Sequence, residues 1–554
     1  MRNYTATAKA VNPRRTVPQT QPLVGREAEM VKNNAGGFVF PVSIWTSLDR
    51  YLILGAEGPT YYVSAQKLSL ENAQNVIKCI EADGVRVVNR IVEISDAGRA
   101  PKNDPALFAL ALVMTFGDAD AKSAAFVALP QVARIGTHLL HLAAYVDTMR
   151  GWGRGIRNAF GNWYLTQKSD KLAMNLVKYA NRDGWTHRDV LRLAHPKAVG
   201  ATQQLLGYVT DKPYNFRGTE IAGFMNAVAQ IKTLTPAEEK LAAKLITDYE
   251  LPREVIPTEL LNSKRVWEAL LPHMGITALV RNLATLTRIG VIENGSQGLA
   301  DVLEKLRNEE AVRKSRFHPI QALAALLTYK AGHGARGTNT WTPVIKLVDE
   351  LDSLFYRSFG NVVPTGKRIL YGLDISGSMD GGEVAGVPGL TPRVAAGALA
   401  MLAAQTEQDA EYLGFTASGL GWRYNTSASE DVDSAVTAID ISKKHRLDTV
   451  CHMMDALPMG RTDCAVPALW ATKHNRKFDA FVIVTDNECY AGAVHPAVAL
   501  QQYRNKSGIP AKMVAVALVA GQFDIGDPND AGSLSVVGFD TAAPNVISDF
   551  IRGE

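Results

Sequence analysis

The feature that most constrains this chain is a change of hydrophobic period. Across residues 70–356, apolar side chains recur at i, i+3 and i+4, the spacing that gives a helix one oily face. The segments 73–82, 85–94, 106–116, 121–129, 137–148, 156–165, 172–180, 188–193, 220–231, 237–248, 276–287, 298–306, 320–330 and 341–356 all read this way. Short Gly-, Pro-, Asp- and Asn-bearing links join them. Beyond 360–366 (GNVVPTG) the pattern becomes short continuous apolar runs, at 368–373, 411–416, 480–484 and 513–520, with an Ala-rich helix over 392–405. A long series of helices without intervening strands predicts helix pairs stacked as an α-solenoid. Apolar strands alternating with helices predict a doubly wound, mostly parallel sheet. Residues 1–20 read as a flexible basic arm, and 33–59 as short extended pieces. The expected domains are therefore 1–20, 21–362 and 363–554.

Charge divides at the same boundary. The net charge of +4 combines −7 from Lys367 onward with +11 before it. The basic half leans toward a polyanionic partner, and a solenoid offers a curved surface on which to hold one. The longest apolar run, 105–116, is a core helix and not a membrane span. The first residues carry no secretory apolar segment. Cys79, Cys451, Cys464 and Cys489 form no C-x-x-C pair and read as reduced buried thiols. These features point to the cytoplasm.

The first strand ends in Asp374-Ile375-Ser376-Gly377-Ser378. On a tight turn the alternate oxygens of D-x-S-x-S face one point and suit Mg²⁺, a hard cation that prefers oxygen. Two later loops complete the set, with Thr462 before a helix and Asp486 after the strand 480–484. D-x-S-x-S alone says little, because Ser and Asp also cap helices. The three parts in this order on alternating strands and helices are specific. They resemble the metal-ion-dependent adhesion site of von Willebrand factor A domains. That resemblance implies coordination through the hydroxyls of Ser376, Ser378 and Thr462. Asp374 and Asp486 would act largely through bound water, with a ligand carboxylate filling the open position. Asp463 and Glu488 lie near this set without being assigned as ligands.

Residues 150–195 are dense in basic and aromatic residues. Arg154 and Arg157 stand one turn apart, Lys171, Asn175 and Lys178 share a helix face, and His187, Arg188 and Arg192 open another helix. Such rows suit phosphates, and Trp152, Trp163 and Trp185 either stack on bases or pack the core. The motifs NNAGGFVF, LDRYLILG, GPTYY, RIGTHLL, GWGRGIRNA and GWTHRDVLRLAHP resemble the TROVE module of the Ro autoantigen family. With the DISGS domain they match the family's architecture over residues 20–554, in the manner of a bacterial or phage member.

The resemblance implies a ring of HEAT-like repeats closed by the von Willebrand-like domain. Single-stranded 3′ ends of misfolded RNAs would enter its hole, Y RNAs would bind its outer basic surface, and exoribonucleases would act alongside. Carried onto this chain, it puts His187 at the hole, with Arg188 beside it and Arg134, Thr137 and His138 near the rim. Arg154, Arg157, Lys171 and Lys178 go to the outer surface.

Other motifs lead nowhere. His138 and His141 form H-x-x-H without a third ligand. Gly151-x-Gly153-x-Gly155 follows no strand, and 364–368 (PTGKR) lacks the hydroxyl of a phosphate loop. The Gly-rich stretch 332–341 with Arg336 reads as a linker. No Ser–His–Asp or Cys–His set stands out, so no catalytic nucleophile is expected. The reading is a monomeric, non-enzymatic RNA-binding protein with a Mg²⁺ site. The competing reading is a Mg²⁺-dependent adhesion scaffold whose basic face meets acidic proteins.

Overall fold

The computed structural model describes residues 12, 14–55, 65–334, 338–360, 362–384, 390–417 and 432–553. Most of the first arm, the GPTYY motif and Arg336 lie outside the described residues.

Helices fill the first part of the chain. The kinked Ala65–Ala97 breaks at Asp83 and is followed by Asp104–Phe116, Ala119–Val132, Gly136–Met149, Arg154–Leu165 and Ser169–Lys178. His187–Ala194, Gly200–Val209, Ala222–Ile231, Glu239–Tyr249, Lys264–Leu270 and Ile276–Arg288 come next. Gln297–Arg307, Glu309–Lys314, Pro319–Ala331 and Ile345–Arg357 complete the series. Those the period predicted bury their apolar stripes, and 105–116 is a core helix.

The array returns upon itself. Arg316 pairs with Asp96 at 2.6 Å, His318 Nε2 donates to the Arg99 carbonyl at 3.2 Å, and Gln321 Nε2 donates to that of Pro101 at 2.9 Å. Early and late helices thus meet, and the solenoid is a ring. The assignment of His318 follows from its other nitrogen: Nδ1 accepts from Ile320 N, so Nε2 carries the proton.

Four expectations need correction, the last being the absence of strands between the helices. Residues 33–59 contain the strand β2 (Phe38–Pro41), paired with β1 (Val31–Lys32) just before them, but also a helix, Ile44–Leu54. Ser43 caps that helix by accepting from Thr46 N, and Leu48, Tyr51 and Leu52 form its buried stripe. The arm is not free along its whole length, because Gln19 is 1% exposed. Helices at Gly200–Val209, Lys264–Leu270 and Glu309–Lys314 join those predicted. The first has few charges to outline its polar face; the others are too short to show a period.

Two strands appear between the helices, β3 (Asn181–Arg182) and β4 (Trp185–Thr186). The second part is built on β5 (Ile369–Asp374), β6 (Ala410–Phe415), β7 (Val436–Ala438), β8 (Ala480–Thr485) and β9 (Lys512–Ala517). β10 (Phe523–Asp524) and β11 (Ser533–Val537) follow. The sheet order is β11-β9-β8-β5-β6-β7, parallel except for the edge strand β7. Pro392–Thr406 and Leu447–Asp455 cover one face, and Val466–Lys473 and Pro496–Ser507 the other. β7 and β11 escape sequence reading because both are short and partly polar. β10 pairs antiparallel with β2, so the two ends of the chain share a small sheet. Beside it the fully buried Arg50 pairs with Asp524 at 2.9 Å and donates to the carbonyls of Gly521 and Phe523.

Candidate metal face and basic helical face

β5 lies between β6 and β8, so successive crossovers leave it in opposite directions and open a crevice at its carboxyl end. Asp374 closes β5 there, and Asp486 follows β8. The third loop is tied in by Gly377 N, which donates to the Gly460 carbonyl at 3.1 Å. All five predicted residues come together, buried. Ser376 N donates to Asp374 Oδ1 at 2.9 Å, the Ser376 and Ser378 hydroxyls lie 3.0 Å apart, and Thr485 Oγ1 donates to Asp374 Oδ2 at 2.6 Å.

Two atoms of the set, Thr462 Oγ1 and Asp486 Oδ2, are buried with no hydrogen-bond partner. Orphaned buried oxygens are costly unless something else satisfies them. Burial, and then the Asp486 charge, push the Asp374 carboxyl up to about 7; burial also raises Asp486. The donors are all oxygen and include only two carboxylates. This chemistry fits a hard divalent ion held largely by hydroxyls and water. Among the described residues no group of three His, Cys, Asp or Glu gathers as a metal site of another kind.

Sequence reasoning missed what lies against these loops. Gln19 Nε2 donates to Asp463 Oδ1 at 2.7 Å, and Asn34 Nδ2 to Glu488 Oε1 at 2.7 Å. Ala35 N also donates to Glu488, and Asn33 Nδ2 to the Cys489 carbonyl at 2.9 Å. Gly37 passes so close that a Cβ would stand 1.9 Å from the Cys489 oxygen. No local pattern announces contacts between such distant parts of the chain. Burial raises Asp463 to about 6 and Glu488 to about 7. The four cysteines are free and buried.

The basic residues do not converge in this way. Arg154, Arg157, Lys171 and Arg192 are exposed on three helices, and no described carboxylate pairs with them. Lys178 is half-buried over the Tyr179 ring, and Asn175 turns inward to accept from Gly136 N at 3.1 Å. Arg188 is engaged, paired with Asp211 at 2.7 Å and donating to the Val209 carbonyl. The tryptophans pack: Trp163 is buried and donates to the Ala133 carbonyl, while Trp152 and Trp185 stack on each other.

His187 is 2% exposed. Tyr164 Oη lies 2.9 Å from its Nδ1, Trp163 stacks on it, and Nε2 has no partner. Gly136 is small of necessity, since a Cβ there would approach that Nε2 to 2.9 Å. Burial brings His187 down to about 4, so it is neutral at pH 7. Arg134 donates to Ser95 Oγ at 2.7 Å, and burial brings its guanidinium down to about 10. His138 Nδ1 lies 3.4 Å from Asn103 Nδ2; burial, reinforced by Arg134 and His141, brings it down to about 3. Thr137 is half-buried beside it. His141 is committed to Asp183. No described helix is long and apolar enough to cross a membrane.

The same two-part division appears in comparisons with known proteins. A family model described as the TROVE domain matches residues 31–250 and 244–330, and one described as the Ro60 vWA domain matches 368–551. The chain is 41% identical over 549 residues to "RNA-binding protein RO60" of Deinococcus radiodurans, covering 99% of each. It is 34% identical over 613 residues to the protein of the same name in Caenorhabditis elegans, covering 96% of this chain and 92% of that one. A crystal structure of the Deinococcus radiodurans RO (RSR) protein aligns with a TM-score of 0.67 at 40% identity. It covers 92% of this chain and all of that one.

Proposed function

Since the chain belongs to the Ro60 family, we propose that it is an RNA-binding ring of small-RNA quality control that captures structured RNA and holds a single-stranded 3′ end. The observation that carries this is the set of exposed cations Arg154, Arg157, Lys171 and Arg192 on successive helices, with which no described carboxylate pairs. Exposed cations without local partners meet phosphates at little desolvation cost and release counterions when they do. In this reading misfolded RNAs present their 3′ ends to the hole, and Y RNAs bind the outer surface. Exoribonucleases supply the chemistry, and the chain itself is a non-enzymatic cytoplasmic monomer. Arg134, Thr137, His138, Lys178 and Arg188 support the contact region. A contact from His187 requires its Tyr164–Trp163 enclosure to open.

The metal face would hold Mg²⁺ through Ser376, Ser378 and Thr462, with Asp374 and Asp486 acting largely through water. When bound, the ion offers an open position to a carboxylate. The chain's own loops hold the hydroxyls in place, and Glu488 is held from outside by Asn34 and Ala35.

The test is binding of one structured small RNA with and without a single-stranded 3′ tail, across a salt series. Tail-dependent binding that weakens by about 10³-fold between 50 and 200 mM salt is expected if about six phosphates are neutralised. Binding indifferent to the tail overturns the capture of ends. No binding at all, with an RNase-resistant Mg²⁺-dependent protein partner, would turn the assignment to an adhesion scaffold.

A further inference from the structure

Two of the three loops that carry the oxygen set are gripped by the opposite end of the chain. The segment from Gln19 to Gly37 crosses them as a strap. Asn33 is buried, and its Nδ2 donates to the carbonyls of Asn487 at 3.3 Å and Cys489 at 2.9 Å. The next two residues take the Glu488 carboxylate, Asn34 Nδ2 at one oxygen and Ala35 N at the other, 2.7 and 3.1 Å away. On the Thr462 side, Gln19 Nε2 donates to Asp463 Oδ1 at 2.7 Å and to the Val494 carbonyl at 2.8 Å, while Cys489 Sγ donates to Gln19 Oε1.

These contacts reach the oxygen set in one further step. Glu488 N donates to Asp486 Oδ1 at 3.0 Å, which orients that carboxylate and leaves Oδ2 as the oxygen without a partner. Tyr490 N and Ala491 N donate to the Thr462 carbonyl, so the two loops are joined. Between Asp486 and Glu488, Asn487 stands at φ +65°, its side-chain amide buried and without a hydrogen-bond partner among the described residues. Such a backbone persists only where its neighbours over-determine it, and Asn33 is one of those neighbours. The first loop is held differently. Arg393, fully buried within the sheet region, donates to the carbonyls of Ile375 at 3.0 Å and Ser376 at 3.3 Å. The strap has a firm base, since Gly37 N closes its turn on Asn33 Oδ1 at 2.8 Å and β2, which follows, pairs with β10.

We propose that Gln19, Asn33 and Asn34 are positioning residues for the metal face, setting its affinity for Mg²⁺ by holding the Asp486 and Thr462 loops in the shape that binds. The proposal rests on the Mg²⁺ reading of the oxygen set. Groups that orient metal ligands through hydrogen bonds typically cost about 10- to 100-fold in metal affinity when removed. Coupling is also reciprocal: if the strap tightens the site, an occupied site tightens the strap.

Two measurements on the full chain test this. Titration calorimetry with Mg²⁺ alone compares wild type with Asn33→Ala/Asn34→Ala, for which binding about tenfold weaker is expected. Hydrogen-exchange mass spectrometry then follows the strap peptide 33–38 in wild type, with and without saturating Mg²⁺. Its exchange is expected to slow by about tenfold, a change that a strap serving only the fold would not show. Should the double variant fail to fold, Asn34→Ala, at an exposed position, takes its place beside the exchange measurement. Mg²⁺ binding of wild-type strength in the variant, with strap exchange indifferent to the ion, overturns the positioning role and leaves the metal reading standing. No Mg²⁺ binding by the wild-type chain overturns both.

Discussion

The proposed metal face and the basic helical face carry charge in opposite ways. At the carboxyl edge of the sheet, five oxygen-bearing side chains from three loops are buried, and hydrogen bonds fix Asp374, Ser376 and Ser378 among them. On the helices, the cations are spread over three elements, exposed, and no described carboxylate pairs with them. Coordination acts over about 2 Å and fails if a ligand drifts, so its ligands must be packed in place. Phosphate capture acts over about a Debye length, roughly 8–10 Å, and burial would only add a desolvation cost. Those two requirements separate the regions more sharply than their folds do.

Acid should separate them furthest. His187 and His318 are buried in the helical ring, and burial brings each down to about 4 from an ordinary 6.5. Their folded values lie below the unfolded value, so the stability they confer is complete above about pH 6.5. It declines as pH falls toward 4, because the unfolded chain then binds protons the folded ring refuses. Each histidine is expected to account for about 3 kcal/mol over that window. Chemical denaturation as a function of pH measures it. His318→Asn keeps a residue able to cap Pro319–Ala331 and should remove one share of the slope; an unchanged slope would refute the attribution.

The next largest effect belongs to the exposed cations. Replacing Arg154, Arg157, Lys171 and Arg192 with Ala together is expected to weaken structured-RNA binding by about a hundredfold. It should also cut the salt slope by about 3.6. The melting temperature should hold, since these side chains support nothing in the fold. A variant that binds like wild type would place the RNA elsewhere.

What could be read from the sequence follows the same division. The places of Asp374, Ser376, Ser378, Thr462 and Asp486 were legible because strand ends and loop motifs fix such positions locally, and all five are buried. The helices were legible as periods, yet a period does not say which polar residues a neighbouring element will claim. Asn175 shares a predicted cationic face but turns inward to Gly136, and Arg188 is taken by Asp211, a partner beyond its own helix. His187 could be named as a motif residue, but its enclosure by Tyr164 and Trp163 is a tertiary fact. The helix Ile44–Leu54 was hidden by aromatic and β-branched residues that favour strands, until packing of its buried stripe outweighed that propensity. The reach of Gln19, Asn33 and Asn34 onto the metal loops has no sequence signal at all.

Metal addition tests the other region in isolation. If Mg²⁺ binds the folded face alone, about ten times its Kd should stabilise the chain by about 1.4 kcal/mol. Asp374→Asn preserves volume and should abolish that gain in thermal melts while leaving RNA affinity at wild type. A matched loss of RNA affinity would show the two faces to be coupled and would erase the contrast drawn between them.

The smallest effect tests the contrast within a single helix. Arg188 and Arg192 stand one turn apart on His187–Ala194 and carry the same charge. Arg192 is exposed with no ion-pair partner among the described residues, whereas Arg188 is held by Asp211 and the Val209 carbonyl. If exposure without a partner is what equips a residue for phosphate, Arg192→Ala should lower the salt slope by about 0.9. Arg188→Ala should change it by far less, because the Asp211 charge it unmasks comes from a pair already neutral to an approaching phosphate. Equal slopes for the two variants would mean that RNA breaks the Arg188–Asp211 pair on binding. Counting free cations in the unbound fold would then understate the contact surface.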